Sequence, residues 1–206
     1  MKHLKMLGLA VMAAAALMAF VGASTASATV ICKNNLNTEK CSEPYTVGTK
    51  GKASLAAGSS ALLETTGGEV LVTCTGSTVE SSLKNAGSAA TTVESNVSTM
   101  NFTGCSREVK VLKAGYAILH HIPGTDNGTL TTVETEVTVN GIFGTSCTYG
   151  AGAGMDVGIV VGGNPGSMSL NVVFPKVAGG FICPADARFT GKYTATEPTN
   201  AWVAAG

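Results

Sequence analysis

Any chemistry in this chain would begin at His120-His121 and at Glu134 and Glu136, because beyond residue 28 these are the only histidines and they stand close to two carboxylates. Adjacent residues on a strand point to opposite faces, so the two imidazoles do not converge on one metal. If Asn127-Gly128 forms the two-residue turn this dipeptide favours, Asp126 faces Thr129, Ile122 faces Val133, and His121 stands directly opposite Glu134. A carboxylate that orients an imidazole is the start of an acid–base or metal site. The inventory stops there. Serine hydrolysis needs a nucleophile on a sharp turn, yet there is no Gly-x-Ser-x-Gly, and the aspartates are only Asp126, Asp156 and Asp186. Glu134 and Glu136 as a glycosidase pair lack an acidic cleft and aromatic subsites. The expectation is a protein without catalytic residues, cofactor or metal, not an enzyme. In it His121, Glu134 and Glu136 form an exposed surface cluster, and His120 is a hydrogen-bonded core histidine.

Six cysteines, at 32, 41, 74, 105, 147 and 183, are the second chemical signal. There is no Cys-x-x-Cys, so zinc is disfavoured, and an even number in an exported chain reads as disulfides. Locality favours neighbours in sequence: Cys32 with Cys41, Cys74 with Cys105, Cys147 with Cys183. The first pair brackets a short polar loop and would staple an N-terminus that otherwise frays.

These residues must be held by strands. Tyr116, Ile118, His120 and Ile122 alternate on one arm and Val133, Thr135, Val137 and Val139 on the next, which predicts a single hairpin from Tyr116 to Val139 with its apolar face buried. Gly67-Gly68 and the run Gly162 to Gly166 read as further turns, Asn85 to Ala90 as a loop, and Lys113 to Gly115 as a bulge. Tyr45 to Ala56, interrupted by Gly48 and Gly51, reads as a weak strand. The chain holds about ten to twelve short strands with turn signals between them, which is the pattern of a sandwich or a related barrel. The fold expected is an all-β antiparallel β-sandwich, Greek-key or jelly-roll-like, stapled by disulfides.

A basic start (Lys2, His3, Lys5), an apolar run from Met6 to Ala23 and the small-residue tail Ala26-Ser27-Ala28 describe a secretory signal peptide over 1–28. A single domain over 29–206 follows. Loss of Lys2 and Lys5 with the leader leaves 11 basic residues of the 13 against 13 acidic ones, a formal net charge of −2. With no cluster of Lys or Arg, nucleic acid is an unsuited partner. No further apolar run predicts a membrane span after cleavage.

The pieces Cys74-Thr75-Gly76-Ser77-Thr78, Phe102-Thr103-Gly104-Cys105, Cys147-Thr148-Tyr149-Gly150, Gly163-Asn164-Pro165 and Phe181-Ile182-Cys183-Pro184 resemble a group of uncharacterised secreted proteins of Gram-positive soil bacteria. The resemblance implies an exported, disulfide-bonded β protein and transfers no activity. The function expected is that of a secreted, extracellular or cell-surface binding or structural protein that meets an extracellular protein or glycan through strand edges and loops. A carbohydrate-binding module and a small secreted hydrolase are the alternatives. The aromatic side chains Tyr45, Tyr116, Tyr149, Tyr193 and Trp202 are too dispersed to make an obvious sugar platform.

Overall fold

A computed structural model describes residues 28–34 and 41–206. The expected leader lies outside them, apart from Ala28. The strands are β1 (Thr29–Cys32), β2 (Lys50–Leu55), β3 (Ala61–Thr65), β4 (Val70–Ser88), β5 (Thr91–Cys105), β6 (Val109–Lys113) and β7 (Tyr116–His121). After them come β8 (Gly128–Val133), β9 (Thr135–Ile142), β10 (Thr145–Ala151), β11 (Met155–Val161), β12 (Ser167–Ala178), β13 (Asp186–Glu197) and β14 (Trp202–Ala204).

The pairing closes on itself. From β2 the ladder runs through β4, β5, β7, β8, β11, β12 and β13 and back to β2, every contact antiparallel. That is a closed eight-stranded barrel and not the expected sandwich. A single sheet bent into a cylinder removes the edges that two stacked sheets would leave, and alternation along each strand is the same for both architectures. Sequence periodicity therefore could not separate them. The position between β13 and β4 is shared by two strands end to end, β2 beside residues 78–82 of β4 and β3 beside residues 70–74.

Two small additions complete the molecule. At one end β6, β9 and β10 form a ladder that joins the last residues of β12. Leu71, Val72, Val139, Ile142, Tyr149 and Ala187 are buried there. At the other end β1 pairs with β14 and with the end of β4, and places Ile31 and Val203 over Leu83, Val93 and Leu119. All three disulfides join the cysteines that locality paired: Cys32–Cys41, Cys74–Cys105 and Cys147–Cys183. They suggest an oxidising compartment.

The hairpin expected over Tyr116 to Val139 is corrected in three ways. First, the chain reverses at Ile122-Pro123-Gly124-Thr125, where Thr125 N–H donates to Ile122 O at 3.2 Å and Gly124 has φ 76°. Proline second and a positive-φ glycine third suit a type II turn, and this signal outcompetes Asn127-Gly128. The register moves accordingly. His121 lies opposite Gly128, Ile118 opposite Thr131 and Tyr116 opposite Val133. Second, the second arm breaks at Glu134, whose φ is 58°, so that β8 stays in the barrel while β9 turns into the added ladder. Third, the face is reversed. Leu119 is buried within the barrel and Tyr116, Ile118 and His120 point outward, so His120 is not a core histidine. Two local expectations also change: Asn85–Ser88 continues β4, leaving only Ala89-Ala90 as the turn, and Lys113 to Gly115 is a corner between two ladders instead of a bulge.

Candidate binding site

The barrel is not filled. An eight-stranded barrel is just wide enough for its own side chains to occupy the interior or to hold one small ligand. Which of these occurs depends on side-chain size. The lining includes Gly51 and Ala53 of β2, Ala117 of β7, Ala195 of β13, Ser81 of β4 and Ser95 of β5. These six small residues leave a cavity of about 320 Å³. Larger side chains make its remaining walls, among them Val97, Met100, Leu170, Val172, Phe174 and Val157. The volume is at the lower end of the range for small-molecule sites.

The floor is built from aromatics. Phe102 and Phe189 meet edge to face with ring centroids 6.2 Å apart. Tyr193 is buried beside them, and its hydroxyl donates to Ser77 Oγ at 3.0 Å. Burial raises the Tyr193 pKa above its usual 10, and the Ser77 contact opposes this only in part. The roof is the β1–β14 ribbon. Tyr45 folds back beneath it with its N–H donating to Ile31 O at 2.9 Å and its hydroxyl to Asn200 O at 2.8 Å. The Cys32–Cys41 bridge fixes this return of the chain.

Charge is kept out of the chamber. Among lining residues only Lys50, Lys52, Ser167 and Glu197 are exposed, and all four sit where β2, β12 and β13 meet. Alternation with the inward Gly51 and Ala53 places Lys50 and Lys52 on the outer face, where Lys52 Nζ lies 2.8 Å from Glu80 Oε1 and also feels Glu197. Glu80 holds the Lys52 pKa up, and Lys52 in turn holds that of Glu80 down.

The residues singled out from sequence do not assemble. His121 and Glu134 stand at opposite ends of the β7–β8 ladder. The backbone N–H of His121 donates to Thr29 Oγ1 at 2.9 Å, and its Nε2 lies 2.7 Å from Thr125 O, so the ring is tied to its own turn. Glu136 pairs with Lys113 at 2.6 Å on the added ladder, and Glu134 is exposed at its corner with its N–H on Gly152 O. No group of three His, Cys, Asp or Glu that could hold a metal exists among the described residues. The interior residues were missed by the sequence reading although a trace was present. In Lys50-Gly51-Lys52-Ala53 charged and small residues alternate, which is the out–in pattern of a thin wall around a space.

Comparison with protein families, with curated proteins and with solved structures finds no match to this chain.

Proposed function

We propose that this protein is an exported, non-enzymatic binding protein that carries a small apolar molecule inside its barrel. The observation that carries the reading is the apolar chamber of about 320 Å³, walled by a continuous ladder and roofed by the paired strands β1 and β14. Burying a hydrocarbon there removes its surface from water at about 25 cal/mol per Å², without ordering any new strand. The binding role expected from sequence is retained, but its site moves from strand edges and loops to the interior. The aromatic side chains favour this over glycan binding. Tyr149 and Tyr193 are buried, Tyr45 is held under the roof, and Tyr116 packs with Lys84 Nζ 5.5 Å from its ring centre. The separation of His121 from Glu134 weighs against a hydrolase. The apolar leader and the three disulfides support export to the cell surface or the medium.

The test is fluorescence titration of the oxidised protein with the neutral dye N-phenyl-1-naphthylamine. Wild type is expected to bind it. Ala53→Phe and Ala117→Phe, each filling the chamber from a different wall, are expected to lose binding by at least about tenfold while circular dichroism still reports a β fold. Thr129→Phe, on the outer face, is expected to leave it unchanged. Absent binding in wild type, or equal binding in a folded filled variant, would overturn the reading.

A further inference from the structure

Ser81 and Ser95 are polar exceptions within an apolar chamber. Ser81 lies on β4 opposite Val97, and Ser95 lies on β5 opposite Leu83, so the two are diagonal neighbours on one patch of wall. Their inward direction follows from alternation: Val79, Ser81 and Leu83 face in on β4, and Val93, Ser95 and Val97 do so on β5. Gly51 confirms it for Ser81, since a Cβ built on that glycine would stand 3.1 Å from Ser81 Oγ.

Three other interior hydroxyls are already engaged. Thr132 Oγ1 and Thr135 Oγ1 are 2.7 Å apart, Thr135 also donates to Ala114 O, and Tyr193 is satisfied by Ser77. Thr49 and Ser167 lie outside this patch, Ser167 being exposed at the start of β12. Neither Ser81 nor Ser95 has a side-chain hydrogen-bond partner among the described residues. Both residues are half-buried on the chamber wall, so each presents its hydroxyl to whatever fills the chamber, and valine or alanine would suit these positions if packing alone mattered.

We infer that Ser81 and Ser95 read one uncharged oxygen function, a hydroxyl or a carbonyl, on an otherwise hydrocarbon ligand. This deepens the reading of the barrel as an apolar carrier and rests on it. Two hydroxyls can each donate or accept, which suits an alcohol or a ketone equally. Beside these serines an anionic head group finds no inward-facing cation, because alternation turns Lys50 and Lys52 to the outer face and Lys52 is paired with Glu80. The ligand class is therefore a neutral lipid-like alcohol, ketone or ester, not a fatty-acid anion.

The experiment displaces N-phenyl-1-naphthylamine at pH 8 with 1-octanol, octane and octanoate, using wild type and the Ser81→Ala/Ser95→Ala double variant. Replacing two small hydroxyls by hydrogen leaves the packing intact. The expected result is that the double variant binds 1-octanol roughly three- to tenfold more weakly, while octane binds as before or more tightly. Octanoate is expected to bind wild type more weakly than 1-octanol. If the double variant changes octanol and octane alike, or changes neither, the serines do not read the ligand while the carrier reading stands. Tighter binding of octanoate than of octanol overturns the neutral class. Failure of both the dye and octane to bind wild type removes the carrier reading, and this inference with it.

Discussion

Two buried tyrosines illustrate how differently one residue type acts in this molecule. Tyr193 donates its hydroxyl to Ser77, which is itself buried, whereas Tyr149 Oη is buried with no protein partner. Removing the hydroxyl should therefore have opposite consequences. Tyr193→Phe leaves Ser77 Oγ unsatisfied and is expected to cost about 1 to 2 kcal/mol in urea unfolding; Tyr149→Phe is expected to be neutral or stabilising. Their titration adds a pH signature. Burial raises both pKa values above 10, and for Tyr149 the nearby Asp186 charge adds to it. The folded protein thus holds protons that the unfolded chain releases above about pH 10. The stabilisation is complete below that pH and is lost as pH rises through the raised values. Wild type should lose stability more steeply above pH 10 than Tyr193→Phe does, and a shallower loss in wild type would contradict the assignment.

At the scale of elements, the corners decide where strands go. Gly115 has φ 67° between β6 and β7, and a Cβ there would lie 2.1 Å from Val133 O and 2.9 Å from Glu134 C. Only glycine tolerates both the dihedral and the approach. Gly115→Ala should destabilise by more than about 2 kcal/mol, whereas Gly124→Ala should cost only about 1 kcal/mol. Gly124 also has a positive φ, but nothing lies within 4 Å of its added Cβ. Denaturant midpoints of the two variants would separate close approach from backbone strain. The same corners explain what the sequence could and could not reveal. The Gly67-Gly68 turn was legible because it closes on its own strands, with Gly68 N–H donating to Thr65 O, and the run from Gly162 to Gly166 because glycine and proline mark a reversal even though it also bonds to Thr199 and Ala201. Glu134 was not, since nothing marks a glutamate as the residue that will adopt a φ of 58°; tertiary packing imposes it. Asn127-Gly128 misled because Pro123-Gly124 forms an equally local turn a few residues earlier, and the register follows whichever forms. The disulfides were readable for a simpler reason. Each joins cysteines brought together by neighbouring or locally returning chain, Cys74 lying directly opposite Cys105 on adjacent strands.

The cavity belongs to the scale of the whole molecule. It is lined by residues from all eight strands, the small ones on β2, β4, β5, β7 and β13, and no window of sequence contains more than a fraction of it. A His–Glu cluster is compact in sequence and stands out there, whereas Gly51, Ala53 and Ala117 acquire meaning only when the barrel brings them together. The roof is equally collective, and the Cys32–Cys41 bridge is its fastener. Cys32→Ser/Cys41→Ser should bind the naphthylamine dye with similar contacts but release it several-fold faster, as stopped-flow displacement would show. An unchanged release rate would place the ligand's exit elsewhere, at the exposed corner formed by β2, β12 and β13.

The β1–β14 ribbon adds a matter of timing. Val30 meets Ala204 and Cys32 meets Trp202, so residues near the start of the described chain wait for residues near its end. A polypeptide made from its N-terminus cannot complete this pairing until residue 204 has been added. Until then the chamber has walls and no finished roof. Such distant pairing slows folding, because loop closure must precede the contacts that reward it. If the proposed carrier reading holds, a hydrophobic guest enters a nearly finished barrel in this interval without any later opening, and the last strand to arrive shuts it in.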